Sequence, residues 1–423
     1  MRFERPRGTR DFSPSIMHSR KFVEGIITRV FDSFGYHQIS TPTFEHAELF
    51  TQKSGDEIIS HMYDFEDKGG RRLCLRPEGT APVARMYANE LRSLPKPVKA
   101  YYVANMFRYE EPQKGRYREF WQAGIELMGA DTPEADAEVI LVAAECLKAL
   151  GLEHELRISD IGLIRLLLSD AGVSDIDYPK AIQLLDKGDL DGVREFIDND
   201  VFFKVIASRG KMEALSEVAG VISSSSSISS QDEAGDRLER LRSVLKLLDA
   251  AGTDYLVDFG MARGLDYYTG IVFDAKVAGL GAQDQVLGGG RYDDLIERFG
   301  GPVTPAVGFA FGLDRLLVAR QAQGIEAGRE EPDVYVLSAT DDLRGMAFDV
   351  ACRIRRELPG MSVVHGLSGR KMRKELEAAS DLGVRYAVIV GARELADDSV
   401  MLKDMRQKTQ EKVLLSELAS KIN

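Results

Sequence analysis

The sequence predicts an α+β protein in two parts: an antiparallel-sheet body carrying a helix-rich insertion, then a separate C-terminal α/β domain. Three observations support this. Residues 99–128 alternate between two faces on either side of a loop punctuated by Pro112 and Gly115, the pattern of a β-hairpin. From about 160 to 252 strand signals give way to polar, helix-forming sequence, and then return. Beyond a polar linker, strand and helix patterns alternate as β-α-β-α-β, which suits a parallel sheet covered on both faces.

Length and composition set the outer bounds. The chain has 423 residues, enough for two or three domains. Hydrophobic residues make up 44% and charged residues 29%, so whole-chain disorder is excluded. No run of about 18 apolar residues occurs, and no membrane-spanning helix is expected. The start, MRFERPRGTRDF, lacks the apolar stretch of a secretory signal. Cys74, Cys146 and Cys352 are too few and too scattered for a disulfide framework or thiolate metal site, so a reducing, cytoplasmic setting is expected. The net charge of -12 argues against indiscriminate polyanion binding. From residue 332 onward, however, 15 Lys and Arg face 14 Asp and Glu, which leaves room for a local nucleic-acid surface.

Taken in order, Ser13 and Pro14 open a helix whose apolar stripe is Val23, Ile26, Ile27, Val30 and Phe34, and Gly35 ends it. Residues 38–44 are extended and broken by Pro42, as an edge strand or a subunit interface. In the hairpin, the first strand ends at Arg108 and the second runs from Arg118 to Met128. Trp121, Ala123, Ile125 and Leu127 would enter a core. Arg118, Phe120, Gln122, Gly124 and Glu126 share the other face, either a pocket floor or a solvated sheet surface. A helix follows at 133–150. The insertion, about 170–252, has no chemical motif, and its serine run at 223–230 reads as a loop or flexible tip. Strand signals resume in DYLVDFG, YYTGIVFDA and PAVGFAF, with the glycine-rich LGGGRYDDL between the last two. The body is thus 1–325, the linker 326–332 and the second domain 333–423.

Familiar chemistry is missing. There is no GxxxxGK[ST], HExxH, CxxC or GxSxG, and no GxGxxG leads from a strand into a helix. What remains is arginine at element junctions: Arg108 at a strand end, Arg263 beside Tyr267 and Tyr268, and Arg315 in the first turn of a helix after Gly308 and Gly312. A guanidinium is a permanently charged fork that matches phosphate oxygens, and a helix N-terminus adds N–H donors. Together they point to a polyanionic ligand and a phosphate-handling enzyme.

The order of several motifs carries a resemblance over nearly the whole chain. RGTRDF, STPTFEHAELF, LRPEGT (75–80), FRYEEPQKGRYREFWQAGIELMG (107–129), RGLDYYTG (263–270), GGGRYD and AVGFAFGLDRL (306–316) together resemble the class II aminoacyl-tRNA synthetases, and closely the histidyl-tRNA synthetase family. The resemblance implies a class II catalytic domain followed by an anticodon-binding domain. It implies activation of L-histidine with ATP to histidyl-adenylate, transfer to the 3′ end of tRNA(His), Mg²⁺ on the ATP phosphates, and a homodimer. Arg108 would contact the α-phosphate and the histidine carboxylate, and Arg263 would stabilise charge as pyrophosphate leaves. Arg116 and Arg315 would hold ATP. Glu78, Gly79 and Thr80 would form the amino-acid loop, with Gln122 nearby. Glu126, Tyr267 and Tyr268 would shape the imidazole pocket. No metal ligands are assigned. Two departures are Asp314, where glutamate is commoner, and the long spacer around Gln285. The alternatives are a histidine-sensing regulatory subunit of ATP phosphoribosyltransferase, which typically lacks the C-terminal domain and the ATP-contacting arginines, and a non-catalytic tRNA-binding scaffold.

Overall fold

In the computed structural model of the protein, the hairpin strands Val98–Phe107 and Glu119–Met128 pair antiparallel, from Val98 opposite Met128 to Phe107 opposite Glu119. The structure describes residues 3–51, 60–111, 116–174, 176–225, 228–262, 267–281, 284–325, 331–367 and 369–422. Among these, the hairpin belongs to a nine-stranded sheet. Its order is His37–Gln38, Val98–Phe107, Glu119–Met128, Ala306–Gly312, Gln285–Arg291, Ile271–Lys276, Glu155–Asp160, Leu256–Asp258 and Arg209–Gly210. The centre is antiparallel, as the alternation predicts, and the parallel pairings lie toward the margins. A small three-stranded sheet, Phe44–His46, Arg72–Leu75 and Tyr63–Glu66, stands apart from it.

Two strands of this sheet were not anticipated from the sequence. Glu155–Asp160 escapes a polarity scan because Arg157 and Asp160 interrupt it, yet Arg157 is neutralised by Asp274 and Asp258, so the strand can be buried. The glycine-rich run of Gln285–Arg291 is a strand closely hemmed in by its neighbours. A Cβ on Gly289 would lie 2.4 Å from the Phe309 Cβ, and one on Gly290 would lie 2.8 Å from the Tyr268 ring.

Helices Pro14–Ser33 and Pro133–Ala149 pack together over the sheet, burying Val23, Ile27 and Phe31 with Val139, Ile140 and Val142. The expected insertion is less separate than its polarity suggests. Helix Gln231–Ala250 lies along Pro133–Ala149, and its Leu238, Leu241 and Leu245 join the same core. The serine run is tied down where it is described: Ile228 is buried, and the hydroxyls of Ser229 and Ser230 both donate to Asp170. Residues 226 and 227 lie outside the described residues.

The chain divides into two compact units, Met1–Ala327 and Gly328–Asn423. The second has a five-stranded sheet ordered Val363–His365, Val334–Ser338, Tyr386–Val390, Ser399–Asp404, Thr409–Leu414. The first three strands are parallel, as the β-α-β alternation predicts. The last two add antiparallel and were not anticipated, because their outward face is polar. Among the described residues no helix is long and apolar enough to cross a membrane.

Candidate active site

The face of Glu119–Met128 that carries Gln122, Gly124 and Glu126 forms a pocket floor. Glu78, Thr80, Arg108, Arg116, Gln122, Tyr267, Tyr268 and Arg315 line one cavity of about 1260 Å³. Glu126 lies just beneath, 1% exposed, and is reached through Thr80, whose Oγ1 donates to Glu126 Oε1 at 2.9 Å. Gly79 admits Tyr102: a Cβ there would fall 2.3 Å from the tyrosine ring. Trp121 departs from expectation in part. It packs against the core but is only half-buried, with the Arg20 guanidinium 3.4 Å from its ring centre.

Burial dominates the electrostatics of the floor. It pushes the Glu126 carboxyl up to about 8, against hydrogen bonds from Tyr292 and Thr80 that favour the anion. The Tyr292 hydroxyl donates to Glu126 Oε2. Glu78 is also raised by burial, opposed by the amides of Ala81 and Thr80 and by Arg108. Its oxygens accept those amides at 2.8 and 2.6 Å, which caps helix Thr80–Met86.

Arg108 and Arg315 are held by backbone carbonyls. Arg108 Nε donates to the Pro77 carbonyl at 2.8 Å and its guanidinium stands 5.3 Å from the Phe120 ring centre. Arg116 pairs with Glu110. Arg315 donates to the Gln285 carbonyl at 2.7 Å, while the Gln285 amide donates to Asp274, itself gripped by Arg157 at 2.9 and 2.7 Å. The long spacer therefore delivers the residue that aims Arg315. Asp314, next door, accepts from the Trp121 amide at 3.0 Å and pairs with Arg10, whose guanidinium lies 4.4 Å from the Phe12 ring and 4.2 Å from that of Tyr117. The shorter carboxylate is thus a structural fastener.

Arg263 lies outside the described residues. Met261 and Ala262 before it, and Tyr267 and Tyr268 after it, line the same cavity as Arg108 and Arg315. Sequence reasoning missed Tyr102 and Tyr292. Tyr102 stands opposite Gly124 in the hairpin register, and Tyr292 sits in GGGRYD, so each carried a faint signal. Arg291, beside Tyr292, serves the fold: it is buried and donates to Asp136 at 2.8 Å and Asp293 at 2.9 Å. Among the described residues, no group of three or more His, Cys, Asp and Glu is placed to hold a metal ion.

Comparison with known proteins settles the lineage of this arrangement. The family model of histidyl-tRNA synthetase matches residues 8–316, and that of an anticodon binding domain matches residues 333–423. The chain belongs to the histidyl-tRNA synthetase family. The histidine–tRNA ligase of Archaeoglobus fulgidus is 45% identical over 425 residues, covering 99% of this chain and 98% of that one. That of Thermococcus kodakarensis is 41% identical, covering 97% and 96%. A solved histidyl-tRNA synthetase from Nostoc superposes with a TM-score of 0.82 at 25% identity, covering 100% and 99%. A Bacillus halodurans structure described as an ATP phosphoribosyltransferase regulatory subunit/histidyl-tRNA synthetase gives 0.77 at 26%, covering 93% and 99%. The antiparallel catalytic sheet followed by an anticodon-binding domain is the class II α+β architecture of the histidyl-tRNA synthetase family.

Proposed function

We infer that the chain activates L-histidine with ATP to histidyl-adenylate and transfers the histidyl group to the 3′ end of tRNA(His). The observation that carries the site reading is one cavity joining two chemistries: arginine forks on its walls and a tyrosine-ringed buried carboxylate at its base. In this reading Arg108 contacts the ATP α-phosphate and the histidine carboxylate, and Arg116 and Arg315 hold the remaining phosphates. Arg263 stabilises charge as the carboxylate oxygen attacks phosphorus and pyrophosphate leaves. The nucleophile is already ionised, so no side-chain base is required; positioning and electrostatics do the catalysis.

Glu78 and Thr80 receive the α-ammonium group, with Gly79 and Gln122 nearby. Thr80 donates its proton to Glu126 and keeps its lone pairs for the ammonium. Glu126, Tyr267 and Tyr268 face the imidazole. Mg²⁺ would accompany ATP and offset the charge of its phosphates.

A homodimer is supported by Phe44 and Phe65, each about half exposed on the small three-stranded sheet. In the second unit Phe348 is 48% exposed and lies 5.2 Å from the His365 ring, a platform suited to unstacked bases. The setting is the cytoplasm, where charged tRNA is used in translation. A regulatory subunit is disfavoured by the anticodon-binding domain and by Arg108 and Arg315 at one cavity.

The deciding experiment is ATP–pyrophosphate exchange with each of the twenty amino acids. Exchange with histidine alone is expected, and exchange with none would return the chain to a sensor.

A further inference from the structure

The family reading places the imidazole against Glu126 but leaves open what holds Glu126 itself. We propose that Tyr292 is a specificity-determining positioning residue, which with Thr80 clamps Glu126 so that its carboxylate meets a ring N–H of the bound amino acid. The proposal rests on the histidine reading above.

The clamp is visible in the bonding. Each carboxylate oxygen takes one hydroxyl, Oε1 from Thr80 and Oε2 from Tyr292. Tyr292 cannot swing away easily. Its amide donates to the Ala306 carbonyl at 2.8 Å, its neighbours Arg291 and Asp293 are bonded to Asp136 and Thr269, and its ring lies edge-on to Tyr267 at 5.9 Å. Gly308 leaves the space the carboxylate fills, since a Cβ there would stand 1.9 Å from Oε2. A carboxylate with one donor on each oxygen keeps further lone pairs for a ligand N–H. Such a site rejects an isostere lacking the N–H, because the buried oxygen would then be left unpaired.

The titratable groups facing Glu126 are Glu78 ahead of helix Thr80–Met86, Tyr36 after the first helix, Tyr102 on the neighbouring strand, and Tyr267 and Tyr292. The four tyrosines are all raised by burial and stay neutral through the assay range.

The test is Tyr292→Phe in the full-length protein, assayed by histidine-dependent pyrophosphate exchange from pH 6 to 9. KM for histidine should rise roughly tenfold or more while KM for ATP stays within about twofold. Losing a donor to the anion raises the Glu126 pKa, so the acidic limb of kcat/KM for histidine should move to higher pH. Equal rises in both KM values, or an unmoved limb, overturn the clamp. Thr80→Val, which removes the other donor to Glu126, should reproduce the limb shift, and an unmoved limb in that variant overturns the clamp too. Wild-type protein that shows no exchange with histidine defeats the substrate reading and the clamp together. Wild-type exchange with an unchanged Tyr292→Phe KM defeats the clamp alone.

Discussion

Gly308→Ala probes the pocket with a single methyl group. Gly308 pairs with Glu126 across neighbouring strands, and an alanine Cβ would lie 1.9 Å from Glu126 Oε2 and 2.5 Å from the Ile125 carbonyl oxygen. Ordinary contact begins near 3.4 Å, so the carboxylate must retreat by more than an ångström or the strands must part. A retreat of that size breaks the 2.9 Å bond from Thr80 or the bond from Tyr292. A hydrogen bond to a charged group is worth about 1.5–3 kcal/mol, so losing one lowers kcat/KM for histidine by roughly ten- to a hundredfold. Overpacking costs a further ~1–3 kcal/mol of body stability, a fall of a few degrees in Tm. Pyrophosphate exchange with histidine and ATP varied separately, beside a thermal melt, measures both. A histidine KM within twofold of wild type would refute the account of the pocket.

Glu126→Gln should change the pH dependence of stability. Burial holds the folded carboxyl near about 8 against its ordinary 4.5, so the unfolded chain loses the proton first and stability declines as pH rises through that window. The variant should show a flatter slope in denaturant midpoints from pH 5 to 8, and an unchanged slope would remove Glu126 as its source. Arg263→Ala should abolish exchange while leaving the melt intact; near-normal exchange would defeat its assignment to the α-phosphate. Removing residues 328–423 should hurt tRNA charging far more than adenylate formation, and unchanged charging would count against an anticodon-reading domain.

Much of the floor was legible because it obeys a local rule. Period-two alternation along Glu119–Met128 puts Gln122 and Glu126 on one face, and the structure keeps them there. Arg108 and Arg315 could be singled out from their places at element ends. What stayed hidden depends on partners remote in the chain. Tyr292 matters through Glu126, and Asp314 through Arg10. Glu155–Asp160 is recognisable as a strand only once Asp274 neutralises Arg157. Trp121 packs against the core as alternation predicts, but its cover by Arg20 from the first helix is something alternation cannot reveal.

The Arg10–Asp314 pair joins the two ends of the catalytic body beneath its cavity. A ribosome releases Arg10 almost at once and Asp314 only when the body is nearly complete. Every nascent intermediate must therefore carry Arg10 without its acid, and the bonds that Asp314 makes to Arg10 and to the Trp121 amide can form only once the last helix of the body has emerged.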